Sequence, residues 1–318
     1  MTTLYVSHPS GLDHHTGGLA ERPERLLAIE RGLAGPEFAA LRRELAPKGT
    51  LETLLLVHAS DYVEHVMAVA PREGFYRLSD TMVMSPGTLE AAMHGVGGVA
   101  FCVDEVMSGR VRNALLATRP NGHHAKYDAP GGGGMFNKAA LAARHAQVAH
   151  GVGRVAILDF DAHHGDGAQD IFWGDPDVIA CSTHEMPLYP GTGKARERGA
   201  HGQIVNVPLK AGDGGEVFLA AWRDVILPRV MEFRPDLIVI AAGFDAHGED
   251  RLSHLELQDE DYASVTDAIM EVAEKVCGGR IVSEVEGGYR LEPLARSVRA
   301  HALALMGIHS DLVNHSRN

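Results

Sequence analysis

The stretch Arg154–Gly167, RVAILDFDAHHGDG, runs from continuous apolar residues into three aspartates and two histidines within eight positions. An unbroken apolar run is what a strand covered on both faces requires; a half-exposed strand alternates. Carboxylates at the end of such a strand are costly to bury unless another charge compensates them. The same design recurs along the chain. Asn113–Thr118 (NALLAT) leads into RPNGHHA, Val178–Ser182 (VIACS) into THE, Asp236–Ala242 (DLIVIAA) into GFDAHGED, and Arg280–Val285 (RIVSEV) into EGGYR. Helical patterns lie between these runs: Lys138–His150, stopped by Gly151, then Val217–Phe233 and Asp259–Val276. Strand and helix alternating in this way predict an α/β fold, one parallel sheet with helices on both faces. Every polar cluster follows a strand's C-terminal end, the edge at which open α/β sheets bind ligands.

The 318 residues carry a formal net charge of −13 and are 45% hydrophobic. That describes a globular chain and argues against a nucleic-acid binder, which needs a basic patch. The start, MTTLYVSHPSGLDHH, lacks the basic and apolar regions of a signal peptide, and no apolar stretch approaches a membrane span. Cys102, Cys181 and Cys277 are too scattered for a disulfide framework. A cytoplasmic protein without a membrane partner is the expectation.

Asp159, Asp161 and His163 are spaced two apart, so an extended segment points them to one side. Two carboxylates on one face repel unless a cation sits between them. Asp161 and His163 therefore read as ligands of a divalent metal, against the plainer reading of a solvated loop with a capping aspartate. Asp245, at the end of another apolar run, is the best third ligand. Three protein ligands and one open position make a catalytic zinc site, for which iron or cobalt could substitute. His123 and His124 are a tandem pair at a strand end, and neighbouring imidazoles titrate together. Each needs an acceptor on its second nitrogen, a role that suits Asp159 and Asp166. Tyr289 follows Gly287 and Gly288, whose backbone freedom allows a turn that brings the phenol to the site. There it could stabilise developing negative charge, although a tyrosine packed under a loop gives the same spacing. The run Gly131–Gly134 is no phosphate loop; it is either a flexible connector or a place of close backbone approach to a ligand.

RPNGHHA, MFNKAALAA, DFDAHHGDG, STHEMPLYPGTG, AAGFDAH and EGGYRLEPLARS stand in the order found in zinc-dependent histone deacetylases, and ERPERL (Glu21–Leu26) also matches. The chain most resembles bacterial histone-deacetylase-like amidohydrolases and acetylpolyamine amidohydrolases, with a class II flavour, over roughly residues 4–307. The resemblance implies an arginase-deacetylase fold, a central eight-stranded parallel sheet forming a single catalytic domain over residues 1–318. It implies one zinc per chain on Asp161, His163 and Asp245, and catalysis by His123 and His124 backed by Asp159 and Asp166. Tyr289 matches the transition-state tyrosine. The Gly132 carbonyl matches the acceptor for the scissile amide nitrogen. A structural potassium would be held by Asp159, Asp161, His163, Ser182 and Thr183, mostly through backbone oxygens.

The chain departs from the family pattern in three places. Leu19 and Ala20 replace a His-Pro, and Asn121 stands where proline is common. Gly133 occupies the position of a tunnel-wall aromatic; the opposite wall survives as Tyr189, and a wider tunnel is expected. The implied reaction is hydrolysis of an N-acetylated amine, acetyl-lysine or an acetylpolyamine, with longer acyl groups admitted by Gly133. One tandem histidine, His124 in the favoured assignment, acts as base. Self-association is left open. Two other readings are a binuclear manganese ureohydrolase of arginase type and a non-catalytic module that binds acylated ligands. The first needs Asp-Ala-His-x-Asp, and Gly165 stands where its last aspartate belongs.

Overall fold

The computed structural model describes residues 2–308. Eight strands form one sheet: β1 (Thr3–Ser7), β2 (Arg42–Leu45), β3 (Asn113–Ala117), β4 (Val155–Asp159), β5 (Val178–Glu185), β6 (Ile204–Leu209), β7 (Leu237–Ala242) and β8 (Ile281–Val285). Their order across the sheet is β2-β1-β3-β8-β7-β4-β5-β6, and every pairing is parallel. Five of the eight were legible as apolar runs. β1 and β6 carry polar residues or proline that break the apolar run, and β2 (RREL) is a charged, exposed edge strand, a composition that discourages further pairing.

Successive side chains on a central strand enter opposite cores. On β7, Ile238, Ile240 and Ala242 join one cluster, and Leu237, Val239 and Ala241 join the other. The first face is covered by α1 (Glu24–Gly32), α4 (Asp259–Cys277) and α5 (Leu291–Leu305). The second is covered by α2 (Thr88–Met107) and α3 (Lys138–His150). α3 begins where the Asn137 side chain caps it, accepting from the Ala140 amide at 2.9 Å, and ends at Gly151 with φ 64°. The helix expected over Val217–Phe233 is interrupted: helical turns at Gly215–Ala221 and Leu227–Phe233 flank a π-helical turn at Trp222–Ile226. Pro228 has no amide to donate one turn back, and a π turn absorbs the break. Among the described residues, no helix is long and apolar enough to cross a membrane.

The strand order matters for the site. β3, β8, β7 and β4 are consecutive in the sheet. Loops leaving their C-terminal ends carry His123 and His124, Tyr289, Asp245, and Asp161 with His163.

Candidate active site

β4 ends at Asp159, and the chain then turns on its own carboxylates. The Asp161 amide donates to Asp159 Oδ1 at 3.0 Å and the His163 amide to Asp161 Oδ1 at 2.9 Å. Asp159 is thereby turned towards the tandem histidines, and Asp161 towards β7. One donor atom from each of Asp161, His163 and Asp245 lies within 4.8 Å of the others. His163 Nδ1 is 2.8 Å from Asp245 Oδ2 and 3.2 Å from Asp161 Oδ1. Asp161 and Asp245 are wholly buried. Their remaining oxygens accept backbone amides, Gly287 to Asp161 Oδ2 at 2.8 Å and Ala162 to Asp245 Oδ1 at 2.9 Å. A Cβ at Gly243 would collide with Asp161, and one at Gly287 with both carboxylates.

Burial alone would lower the proton affinity of His163, yet the charges of Asp245 and Asp161 outweigh it and push its pKa up to about 10. Burial and the neighbouring Asp161 push Asp245 up to about 6. Two buried carboxylates are thus gathered around one positive charge. A divalent cation can take the place of that proton, because metal binding at such a site releases it. The donor chemistry, one imidazole nitrogen and two carboxylates in a buried cradle, fits zinc.

The tandem loop follows β3. His123 Nδ1 lies 2.9 Å from Asp159 Oδ2, and His124 Nδ1 lies 2.8 Å from Asp166 Oδ1. The rings are 4.0 Å apart. Their proton affinities diverge. Burial opposes charge on His123, but Asp159, Asp161 and Glu286 together raise its pKa well above 6.5. Burial and then the His123 charge push His124 down to about 4. Repulsion between neighbouring cations makes this split cheaper than charging both.

Several residues that hold this loop escaped the sequence reading. Glu286 accepts the amides of Gly122 at 2.8 Å and His123 at 2.9 Å. The Asn137 side chain that caps α3 also donates to the carbonyls of His123 at 3.3 Å and Ala125 at 3.0 Å. Lys138, buried beneath, pairs with Glu284 at 2.9 Å. Glu286 sits inside the polar cluster after β8, so its position could have marked it. Nothing in the spacing of Asn137 or Lys138 points to the loop.

Asn121, in place of the common proline, donates to the Tyr289 hydroxyl at 3.2 Å and accepts from Arg25 Nη1 at 2.9 Å. The Arg25 guanidinium lies 4.9 Å from the centre of the Tyr289 ring, and its Nε donates to the Gly288 carbonyl at 2.6 Å. Gly288 has φ 117°, open only to glycine. Burial and the charge of Asp245 hold the Tyr289 phenol protonated. Beside it opens a cavity of about 660 Å³, lined by Leu19, Ala20, Arg22 and Phe75 among others. The first two of these are the residues that replace the family's His-Pro.

Gly132 has φ 52°, and a Cβ there would overlap the His124 ring. A Cβ at Gly133 would meet nothing nearer than 3.8 Å, the open side expected of a missing aromatic. Tyr189 crosses towards this gap: its hydroxyl accepts the Gly132 amide at 3.0 Å, and its ring stands edge-on to His124 with centroids 5.1 Å apart. Ser182 pairs with Asp159 in register across β5 and β4. The Ser182 and Thr183 side chains meet His184 at 2.9 Å and Trp222 at 3.2 Å.

Residues 19–305 match the model of the histone deacetylase domain. The chain is 36% identical to Histone deacetylase 14, chloroplastic, of Arabidopsis thaliana, over 96% of this chain and 77% of that protein. It is 35% identical to the Histone deacetylase-like amidohydrolase of Pseudomonas aeruginosa, over 90% of this chain and 75% of that one. Identity to the human Polyamine deacetylase HDAC10 is 36%, over 90% of this chain and 44% of the human one. The crystal structure of the HDA15 HD domain superposes with a TM-score of 0.91 at 32% identity, covering 96% of this chain and 89% of that one.

Proposed function

The chain belongs to the histone deacetylase family, and we propose that it is a zinc-dependent amidohydrolase removing acetyl groups from N-acylated amines. The observation that carries this reading is the pair of His–Asp contacts, at 2.9 and 2.8 Å, beside the converging Asp161, His163 and Asp245. Those three residues would hold the zinc. Bound there, it would supply Lewis acidity towards water and the amide carbonyl. Ser182, Thr183, Asp159, Asp161 and His163 would hold a structural potassium.

His124, neutral at pH 7, takes a proton from the attacking water. Asp166 fixes its Nδ1–H, which leaves Nε2 free to accept. His124 then returns the proton to the departing amine. His123, charged and held by Asp159, contributes its field. Tyr289, protonated at neutral pH, donates to the developing oxyanion. The Gly132 carbonyl accepts from the scissile amide N–H, and the Tyr189 ring lines the approach. The whole chain acts as one catalytic unit. The substrate class is an acetylated amine on a flexible stem, a lysine side chain or a polyamine, and the open side of Gly133 favours tolerance of longer acyl groups. The cytoplasm is the proposed compartment, although the Arabidopsis relative is chloroplastic by name.

A binuclear ureohydrolase is disfavoured because Asp166 is paired with His124 and Lys126, at 2.8 and 3.2 Å, and so is not directed at a second ion. A fluorogenic acetyl-lysine assay and an acetylspermidine assay test the proposal. Turnover should vanish with chelator and return with one equivalent of zinc. Hydrolysis indifferent to chelator would remove the metal from the account. Absence of turnover on both substrates would favour a binding module.

A further inference from the structure

The C-terminal ends of α2 and α3 meet far from the tandem loop and bring together three ligating side chains that the proposed chemistry leaves unused. Asp104 lies in the last turn of α2, and His145 and His150 in the last two turns of α3. Nε2 of His145 and Nε2 of His150 each lie 2.7 Å from the same oxygen, Asp104 Oδ1. The imidazole centroids are 6.0 Å apart with planes at 74°. The three donor atoms fall within 4.8 Å of one another.

Asp104 Oδ1 has lone pairs enough to accept from both Nε2–H groups, and in the other imidazole tautomer the same three atoms present three electron-pair donors to one point. A cation among them lets both nitrogens and the oxygen act as electron-pair donors. Two further features favour positive charge here. Both helices point their carbonyl ends at this corner, adding partial negative charge. Arg110, whose field reaches Asp104, is itself bound through Glu105 at 2.7 and 2.6 Å. The side chains are 42% (Asp104), 19% (His145) and 25% (His150) exposed, so an ion can enter from solvent. α3 starts at the tandem loop and spans 13 residues, about 20 Å at 1.5 Å per residue, so this corner is remote from Asp161.

We propose that Asp104, His145 and His150 form a second metal site, for a late first-row divalent cation such as zinc, which clips α2 to α3. Two imidazoles and a carboxylate suit zinc, nickel or copper, and three protein ligands leave coordination places for water. An ion bound only by the folded state raises its stability.

The test is calorimetric titration of zinc into wild-type protein already loaded at its first site, and into the His145→Ala/His150→Ala double variant. Wild type takes up a further equivalent and its Tm rises with zinc. The double variant takes up none and its Tm does not respond, while its turnover of acetyl-lysine is unchanged. Asp104→Asn, which keeps the shape of the carboxylate, serves as the second variant and also loses the extra equivalent. Equal zinc uptake by wild type and both variants overturns the site, as does a wild-type protein that takes up no further ion.

Discussion

His123 and His124 adjoin in sequence yet hold protons with opposite tenacity: three carboxylates outweigh burial at the first, whereas burial and then the charge of its neighbour lower the second. A sequence shows the pair and the nearby aspartates, and so the dyads were legible in it. It does not show that Glu286 closes over the Gly122 and His123 amides, or that Arg25 and Asn121 converge on Tyr289. Those partners lie more than 90 positions apart and only the strand order joins them. Two predictions belong at this scale. On the proposed mechanism Tyr289→Phe removes one donor to the oxyanion, so kcat should fall about 100- to 1000-fold. Zinc content, measured by atomic absorption, should stay the same; wild-type kcat in the variant would refute the role given to the phenol. Gly132→Ala places a methyl group in the His124 ring and strains a backbone at φ 52°. Turnover should be lost with zinc uptake intact, whereas a fully active variant would show that the loop can move away without consequence.

α3 links stability to the site through the residue that caps its N-terminus. Asn137 uses its side-chain oxygen for the helix and its amide for the tandem loop, so one side chain serves both. Asn137→Ala should therefore lower stability by about 1 kcal/mol for the cap and also reduce kcat as the loop loosens. Gly151→Ala, at the other end, forces a left-handed φ of 64° on alanine and meets no neighbour. It should cost about 1 kcal/mol with kcat unchanged. Urea melts and steady-state rates on both variants separate the two effects; equal kcat in both would mean that the cap does not position the loop. The Asn137 cap was seen only in the structure, but the existence of α3 and its end were legible because an alanine-rich run meets a closing glycine at Gly151. The π turn at Trp222–Ile226 was not, because helical periodicity continues on either side of it and only Pro228 betrays the break.

Across the whole molecule, the fold class could be read from five buried strands, but their order could not, since parallel crossovers hide which strands become neighbours. That order places Ser283 of β8, Thr266 of α4 and His301 of α5 together in the first core. His301 is fully buried, with Nδ1 2.7 Å from Thr266 Oγ1 and Nε2 2.8 Å from Ser283 Oγ. Thr266 already donates its proton to the Tyr262 carbonyl at 2.6 Å, so it accepts from Nδ1–H, and Ser283 donates to Nε2. The imidazole is thus held neutral, and burial pushes its pKa down to about 3 from 6.5. Because the folded pKa is depressed, the unfolded chain binds this proton first as the pH falls. The contribution is intact above pH 6.5 and is lost progressively between 6.5 and 3, by about 1.4 kcal/mol per pH unit. His58 and His184, buried and pushed down to about 4, act in the same direction. Glutamine can span the same two hydroxyls but cannot take up the proton. In His301→Gln, the slope of unfolding free energy against pH between 6 and 4.5, followed by urea melts, should be shallower than in wild type by about one proton. The proposed metal drops out of this comparison because both proteins carry the same candidate ligands for it. An identical slope in the two proteins would mean that His301 is protonated inside the fold, and the hydrogen-bond assignment around it would have to be reversed.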